Sequence, residues 1–363
     1  MHPFQENLQI WFSRKFPDRA QNQCFDIPLV LSSDIGLVRK ENQDRVAAIY
    51  TGKKSINPLF AVAVADGMGG MRDGGLCSTL SLSSFFYALV HYRNLSIHDR
   101  AMEAIRHANE EVFEIYSGNG GSTLTAVLID SYGKQLFVHL GDTRIYTFGF
   151  NEKVERHTTD DSLAEAVGGS GRELLQFVGM GESMQPKIAD LPSNKTFCAI
   201  TTDGIHSIEE KTLSRILENS SDIKQASDRL IALSRWCGGH DNSTSAVFNI
   251  SKVTESLAFY EGSGIRLWDA DGDLTTLWLR EEDQAFNHRQ GRQPESSGDI
   301  NNDLPDKAPL GNVVATEEKP KRQRSSTKRP RKKKREDAYP ENIELDIEIG
   351  NPGEQGDVDA DSK

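Results

Sequence analysis

Three apolar runs in this chain end in a carboxylate beside a glycine. Leu59 to Ala65 leads into Asp66-Gly67-Met68-Gly69-Gly70, Leu136 to Leu140 into Gly141-Asp142-Thr143-Arg144, and Phe197 to Thr202 into Asp203-Gly204. Each run reads as a buried strand closed by turn residues. An isolated Asp-Gly is a common turn; three at strand ends place acids where a sheet gives way to loops. If the strands are neighbours, the carboxylates converge. Two unit charges about 4 Å apart repel by roughly 4 kcal/mol at an effective dielectric of about 20, so convergence calls for a cation. Donors that are all oxygen favour Mg or Mn. Two more acidic segments follow the same logic. Ser33 to Asp44 carries Arg39, a planar fork of donors suited to phosphate, with Asp44 five residues later, and His240-Asp241-Asn242-Ser243-Thr244 precedes a final strand.

The elements that must position these residues show in the apolar periodicity. Strands are expected at Leu29 to Ser33, Arg45 to Tyr50, Leu59 to Ala65, Lys195 to Thr202 and Ser243 to Ile250, with Thr123 to Ile129, Gln135 to Leu140 and Arg144 to Phe148 as an antiparallel meander. Helices are expected near residues 4 to 15, over Gly74 to Val90 with Leu76, Leu80 and Tyr87 on one side, over Ile97 to Ile115, and at Glu209 to Glu218 and Ile223 to Trp236. Residues 151 to 194 are polar and weakly patterned and suit a surface flap. Many strands with helix pairs between them, without strict βαβ alternation, indicate an α+β fold with antiparallel sheets. Ile265 to Ala270 and Asp273 to Leu279 form an expected hairpin around Asp271-Gly272. Asp269, Asp271 and Asp273 mimic the start of a calcium loop, but Arg280 stands where the bidentate Glu belongs.

Composition sets the outer bounds. The chain has 363 residues, 37% of them hydrophobic, and a net charge of -12; its mean hydropathy is -0.53. A folded body with a polar segment fits these values, and the negative balance argues against nucleic-acid affinity for the whole protein. No apolar stretch reaches the roughly 20 residues that span a bilayer, and the first residues lack the pattern of a secretory signal. Cys24, Cys77, Cys198 and Cys237 are far apart, as reduced cytosolic thiols would be. No Cys-x5-Arg segment is present, which counts against a thiol-phosphate route.

With Gly121-Ser122-Thr123-Leu124-Thr125-Ala126 as a further segment, these motifs in this order resemble the metal-dependent type 2C Ser/Thr protein phosphatases in their bacterial form, over roughly residues 27 to 250. The resemblance implies a central β-sandwich of two antiparallel sheets flanked by helix pairs, with two Mn2+ or Mg2+ ions at one end and a looser third. It implies Asp66 as the bridging carboxylate, the Gly67 carbonyl, Asp203 and Asp241 as further ligands, and Asp44 as a ligand or an orienter of metal-coordinated water. Asp142 would hold the third ion with Asp203, Arg39 would bind the substrate phosphate, and Asn242 would support Asp241. The implied reaction is hydrolysis of phosphoserine and phosphothreonine on proteins by water activated between two metals, opposing a partner Ser/Thr kinase. Met68 stands where many eukaryotic relatives carry a His, and Asp161 where the segment introducing the flap usually has one. His139 and His240 are read as core or loop residues. The alternative is a non-catalytic scaffold of the same fold.

The resulting organisation is an N-terminal extension over 1–26, a catalytic domain over 27–250, an accessory hairpin over 251–280 and a disordered charged tail over 281–363. The basic block within 319–335 suits an acidic partner; nucleic acid enters only through this tail. The alternating Ile343 to Ile349 run suits strand addition to a partner sheet. The expected location is cytoplasmic, or nuclear in a eukaryotic host.

Overall fold

The computed structural model describes residues 2–277 except 16, 25, 53–54, 169–172, 192–194 and 260–263. The expectations for the tail, including the basic block and the Ile343 to Ile349 run, lie outside the described residues.

Two antiparallel sheets form the body. One has the order β13 (Gly272–Leu277), β12 (Gly264–Asp269), β3 (Asp44–Tyr50), β4 (Leu59–Asp66), β5 (Leu124–Asp130), β6 (Gln135–Leu140) and β9 (Lys187–Asp190). The other runs β1 (Arg19–Cys24), β2 (Leu29–Asp34), β11 (Ser243–Asn249), β10 (Phe197–Thr201), β7 (Arg144–Phe148) and β8 (Glu155–Arg156). The period of two explains the layering. On β4, Phe60, Val62 and Val64 enter the core between the sheets with Leu31, Ile200 and Phe248, while Ala61 and Ala63 face a second core against helices. Strands covered on both faces read as continuous apolar runs rather than alternating ones.

That second core is closed by α1 (Pro3–Phe12), α2 (Gly74–His91) and α3 (Ile97–Tyr116). Ser96 caps α3 by accepting from the Asp99 amide, and the stripe Ala101, Ala104, Ile105, Ala108 and Val112 is buried. A third core lies on the outer face of the other sheet, where Tyr146, Ala199 and Val247 meet Leu213 and Leu217 of α6 (Glu210–Glu218) and Leu230 of α7 (Ile223–Trp236). The order is helices, sheet, sheet, helices, in agreement with the expected sandwich.

Several local expectations are corrected. The Arg144 strand does not continue the meander: β7 leaves the β5–β6 pair and joins β10 in the other sheet. Residues 151–194 are not an unpatterned flap. They contain β8, α4 (Leu163–Val167) and β9, which pairs with β6; a bridge from Val178 to Ser122 ties them to the body, and one from Ser162 to Leu174 lies within the stretch itself. Leu76 is exposed, because α2 is buried nearly all round and its apolar face is set by Leu82, Phe85, Phe86 and Leu89 instead. Also missed by the periodicity were β1, whose residues are mostly polar, and α8 (Ile250–Phe259), which follows β11 without a break. The hairpin β12–β13 extends the larger sheet beside β3, and Asp269 receives both guanidinium nitrogens of Arg14 at 2.6 and 2.7 Å, so it ties the end of α1 to the sheet.

A candidate metal centre at one end of the sandwich

Antiparallel pairing decides which residues meet. Asp66 ends β4 and Asp44 begins β3, and the register sets them directly opposite. Asp142 lies in the crossover from β6 to β7, which carries the chain from one sheet to the other. Thr201 pairs with Arg144 and with Ser245, so Asp203, first residue of α5 (Asp203–His206), and Asp241, just before β11, reach the same end. Like charges directly opposite on a sheet are destabilising. Each strand fixes its own carboxylate, so the acids cannot disperse.

The electrostatics record that confinement. Burial pushes the Asp66 carboxyl well above the carboxylate range, and the charges of Asp44, Asp203, Asp142 and Asp241 push it further. Burial raises Asp44 to about 7; hydroxyls of Thr244 and Thr202 oppose this, and Asp203 and Asp241 add to it. Asp142 is also raised to about 7, by burial and then by Asp203 and Asp160. Among the described residues no three of these acids are closed into a metal-holding set. By donor chemistry they fit a hard divalent ion. The donors are all oxygen, and Oδ1 of Asp44 is buried without a hydrogen-bond partner among the described residues.

Neighbouring side chains hold the acids in place. Asp44 Oδ2 accepts from the Thr202 hydroxyl at 2.9 Å. The Asp66 amide donates to Thr123 Oγ1 at 2.9 Å, and that hydroxyl meets Thr143 Oγ1 at 2.7 Å. Asn242 Oδ1 accepts from the Gln43 amide at 2.8 Å, while its Nδ2 donates to the Ile35 and Glu41 carbonyls. It thus ties the β2–β3 loop to the Asp241 segment. Glycine is required at Gly67, where a Cβ would stand 2.2 Å from the Gly74 carbonyl oxygen. Arg39 lies beside Gly69 and donates to Asp241 at 2.6 Å, with 41% of its side chain exposed. It therefore sits on the rim of the cluster, and its guanidinium is held above its ordinary value first by the Asp241 hydrogen bond.

The histidines stand apart from this chemistry. His139 is buried between Thr125 Oγ1 and the Thr159 carbonyl, both at 2.9 Å, and His240 is exposed. Asp161 accepts from the Gly141 amide at 3.0 Å and so steadies the loop that carries Asp142. Sequence reasoning missed the four buried threonines and the Asp34–Arg235 pair at 2.7 Å. The only signal for the threonines was a hydroxyl beside the acid in an otherwise apolar strand end.

A carboxylate held above its ordinary 3.8 keeps a proton that the unfolded chain has lost, so it costs stability as pH rises toward about 7. The buried histidines act with the opposite sign at low pH, so the comparison needs a paired variant. In chelator at pH 8, Asp44→Asn should unfold at a higher urea midpoint than the native chain. The gap should shrink as pH falls below about 7. An equal or lower midpoint for the variant at pH 8 would mean that Asp44 is not strained.

No family model matches the chain. A Streptococcus pyogenes protein named as protein phosphatase 2C-type is 26% identical over 248 residues, covering 62% of this chain and 98% of that protein. The PPM Ser-Thr phosphatase MsPP from Mycobacterium smegmatis, solved with cacodylate, superposes with a TM-score of 0.51 at 26% identity over 61% of this chain and 97% of that one. The catalytic domain of the phosphatase PstP, solved with two manganese ions, gives a TM-score of 0.50 at 26% identity, over 61% and 96%. The chain is thus similar, in sequence and in fold, to bacterial type 2C Ser/Thr protein phosphatases.

Proposed function

We propose that the protein hydrolyses phosphoserine and phosphothreonine on other proteins, with residues 27–250 as the catalytic domain. The observation that carries this reading is the charge pressure on Asp66 from four surrounding carboxylates. Asp44, Asp66, the Gly67 carbonyl, Asp203 and Asp241 would hold two Mn2+ or Mg2+ ions, and Asp142 with Asp203 a looser third. Such a pair of ions supplies a nucleophilic water of lowered pKa and neutralises charge on the phosphoryl group.

The chain's own residues supply positioning. Arg39 has the reach and exposure to grip a phosphoryl group arriving from solvent, exchanging its Asp241 contact for phosphate oxygens. Thr202 holds Asp44, Thr123 holds the strand end at Asp66, and Asn242 holds the loop bearing Arg39 and Asp44 against Asp241. The nearby histidines are engaged in the core or turned to solvent, so they take no proton-transfer role. The physiological target under this proposal is a Ser/Thr kinase or its substrate. No described helix is long and apolar enough to cross a membrane, and a cytoplasmic location is part of the proposal.

The test is release of phosphate from a phosphothreonine peptide by the full chain. Chelator should abolish turnover, and Mn2+ or Mg2+ should restore it. Turnover that survives complete metal removal would sink the proposal.

A further inference from the structure

The alternation along β3 turns Arg45 away from the acids. Asp44 shares a face with Val46 and Ala48, which look between the sheets, whereas Arg45 shares the other face with Ala47 and Ile49, under the helices. There its guanidinium gathers three backbone carbonyls from two segments. Nε donates to the Phe12 carbonyl at 3.0 Å, and Nη1 donates to the carbonyls of Asn42 at 2.9 Å and Asp44 at 2.7 Å. Phe12 is the last residue of α1. Asn42 and Asp44 bracket Gln43 at the end of the loop that bears Arg39.

Strand pairing explains why a donor is needed there. The Gly67 amide donates to the Gln43 carbonyl at 3.1 Å, so Gln43 faces β4 and the Asp44 carbonyl faces the opposite edge. On that edge β12 pairs with β3 from Ala47 to Tyr50. Among the described residues no strand reaches the Asp44 carbonyl on that side, and Arg45 supplies the donor instead. The helix end that faces Arg45 is itself firmly seated. Phe4, Leu8 and Phe12 are buried in the core that α2 shares, with the Phe12 ring 6.2 Å from that of Phe86. Gln5 Nε2 donates to Ser84 Oγ at 2.9 Å. Just past α1, the Arg14 guanidinium lies 3.7 Å from the Trp11 ring centre and grips Asp269, the residue of β12 opposite Ala47. The end of α1 is thus fixed, and through Arg45 it fixes the start of β3.

We propose that α1 is a strut for the candidate metal centre, and that Arg45 is the positioning residue that carries its support to Asp44 and, through Gln43, to Gly67. The inference rests on the metal-dependent hydrolysis proposed for the site. A carboxylate ligand is placed only as well as the backbone beneath it. Arg45 closes the turn over residues 42–44, and the middle carbonyl of that turn holds the amide of Gly67, whose own carbonyl is a candidate ligand. Arg45 lies on the wrong face of β3 to touch metal or phosphate, so it acts through Asp44 and Gly67. Residues 1–26 then belong to the catalytic unit instead of merely preceding it.

The experiment is calorimetric titration of the full chain with Mn2+, beside turnover of a phosphothreonine peptide and urea unfolding. Arg45→Met keeps the aliphatic stem and removes every donor. Its Mn2+ affinity, and its turnover at a fixed Mn2+ concentration, should each fall about 10–100-fold. Ser13→Pro leaves Arg45 and the acids untouched. Ser13 is exposed and its amide donates to the Gln9 carbonyl at 2.9 Å. Proline removes that bond and disfavours the helical backbone of Phe12, which re-aims the Phe12 carbonyl away from Arg45. This variant should bind Mn2+ at least about threefold more weakly, the effect of one lost hydrogen bond. If Arg45→Met does not fold, Ser13→Pro decides. A contact that served only the fold would lower the urea midpoint and leave the Mn2+ affinity of the folded chain unchanged. Native Mn2+ affinity in either folded variant therefore overturns the strut while the hydrolytic reading stands. A native chain that binds no Mn2+ would remove that reading, and the strut with it.

Discussion

Asp66→Asn should lower kcat by more than about 100-fold while leaving the fold intact. A group that only orients a metal ligand typically costs about 10–100-fold when removed; Asp66 is the acid on which all the others bear, so its loss should exceed that range. The substitution keeps the shape of the side chain and removes a charge that burial and four neighbours already disfavour. In chelator the variant should therefore be at least as stable as the native chain. Low turnover combined with undiminished stability distinguishes a centre built for cations from a structural carboxylate. Native turnover in this variant would remove Asp66 from the chemistry. A full biological effect from the inactive variant would favour the scaffold alternative.

Asn242→Ala should damage both stability and activity. The side chain accepts from Gln43 and donates to Ile35 and Glu41, and Asn242 is only 4% exposed. Truncation leaves those backbone groups without their partner, at about 1–3 kcal/mol for each group that stays dry. A loss of at least about 3 kcal/mol is expected in urea unfolding. Turnover should fall by about 10–100-fold, because the loop carrying Arg39 and Asp44 is no longer tied to Asp241. The loss should show in the metal concentration needed for half-maximal activity as well as in kcat. A variant with normal metal dependence and normal stability would show that Asn242 does not hold the two segments together.

Much of the site was legible because strand ends announce themselves. An apolar run that stops at Asp-Gly locates a carboxylate at the edge of a sheet, and the runs ending at Asp66, Asp142 and Asp203 did so with little ambiguity. The helix stripe of α3 was equally clear, because a half-buried helix displays its period. By contrast, α2 is covered on nearly every side, so its serines and leucines carry no stripe and Leu76 was misplaced. The strand β9 shows burial no deeper than intermediate and so lacks an apolar signature; it is held by its pairing with β6. The β6–β7 connection reads locally as a hairpin. Only the sheet-to-sheet crossover shows that Asp142 sits where the two sheets part.

From residues alone came the kinds of donor, their order along the chain, the alternation of strands with helix pairs and the need for a cation if the acids met. Those features are local: a side chain's chemistry, a run's period and a turn's glycine are written within a few residues. The meeting itself was decided by tertiary structure. Register placed Asp44 opposite Asp66, the crossover delivered Asp142, and pairing of β10 with β11 brought Asp203 to the end where Asp241 lies. The same is true of the Arg39–Asp241 contact and of the Thr202 hydroxyl that holds Asp44, each of which joins segments far apart in sequence. Contacts of that kind depend on how sheets pair and pack, and no local pattern encodes a partner that lies a hundred or more residues away.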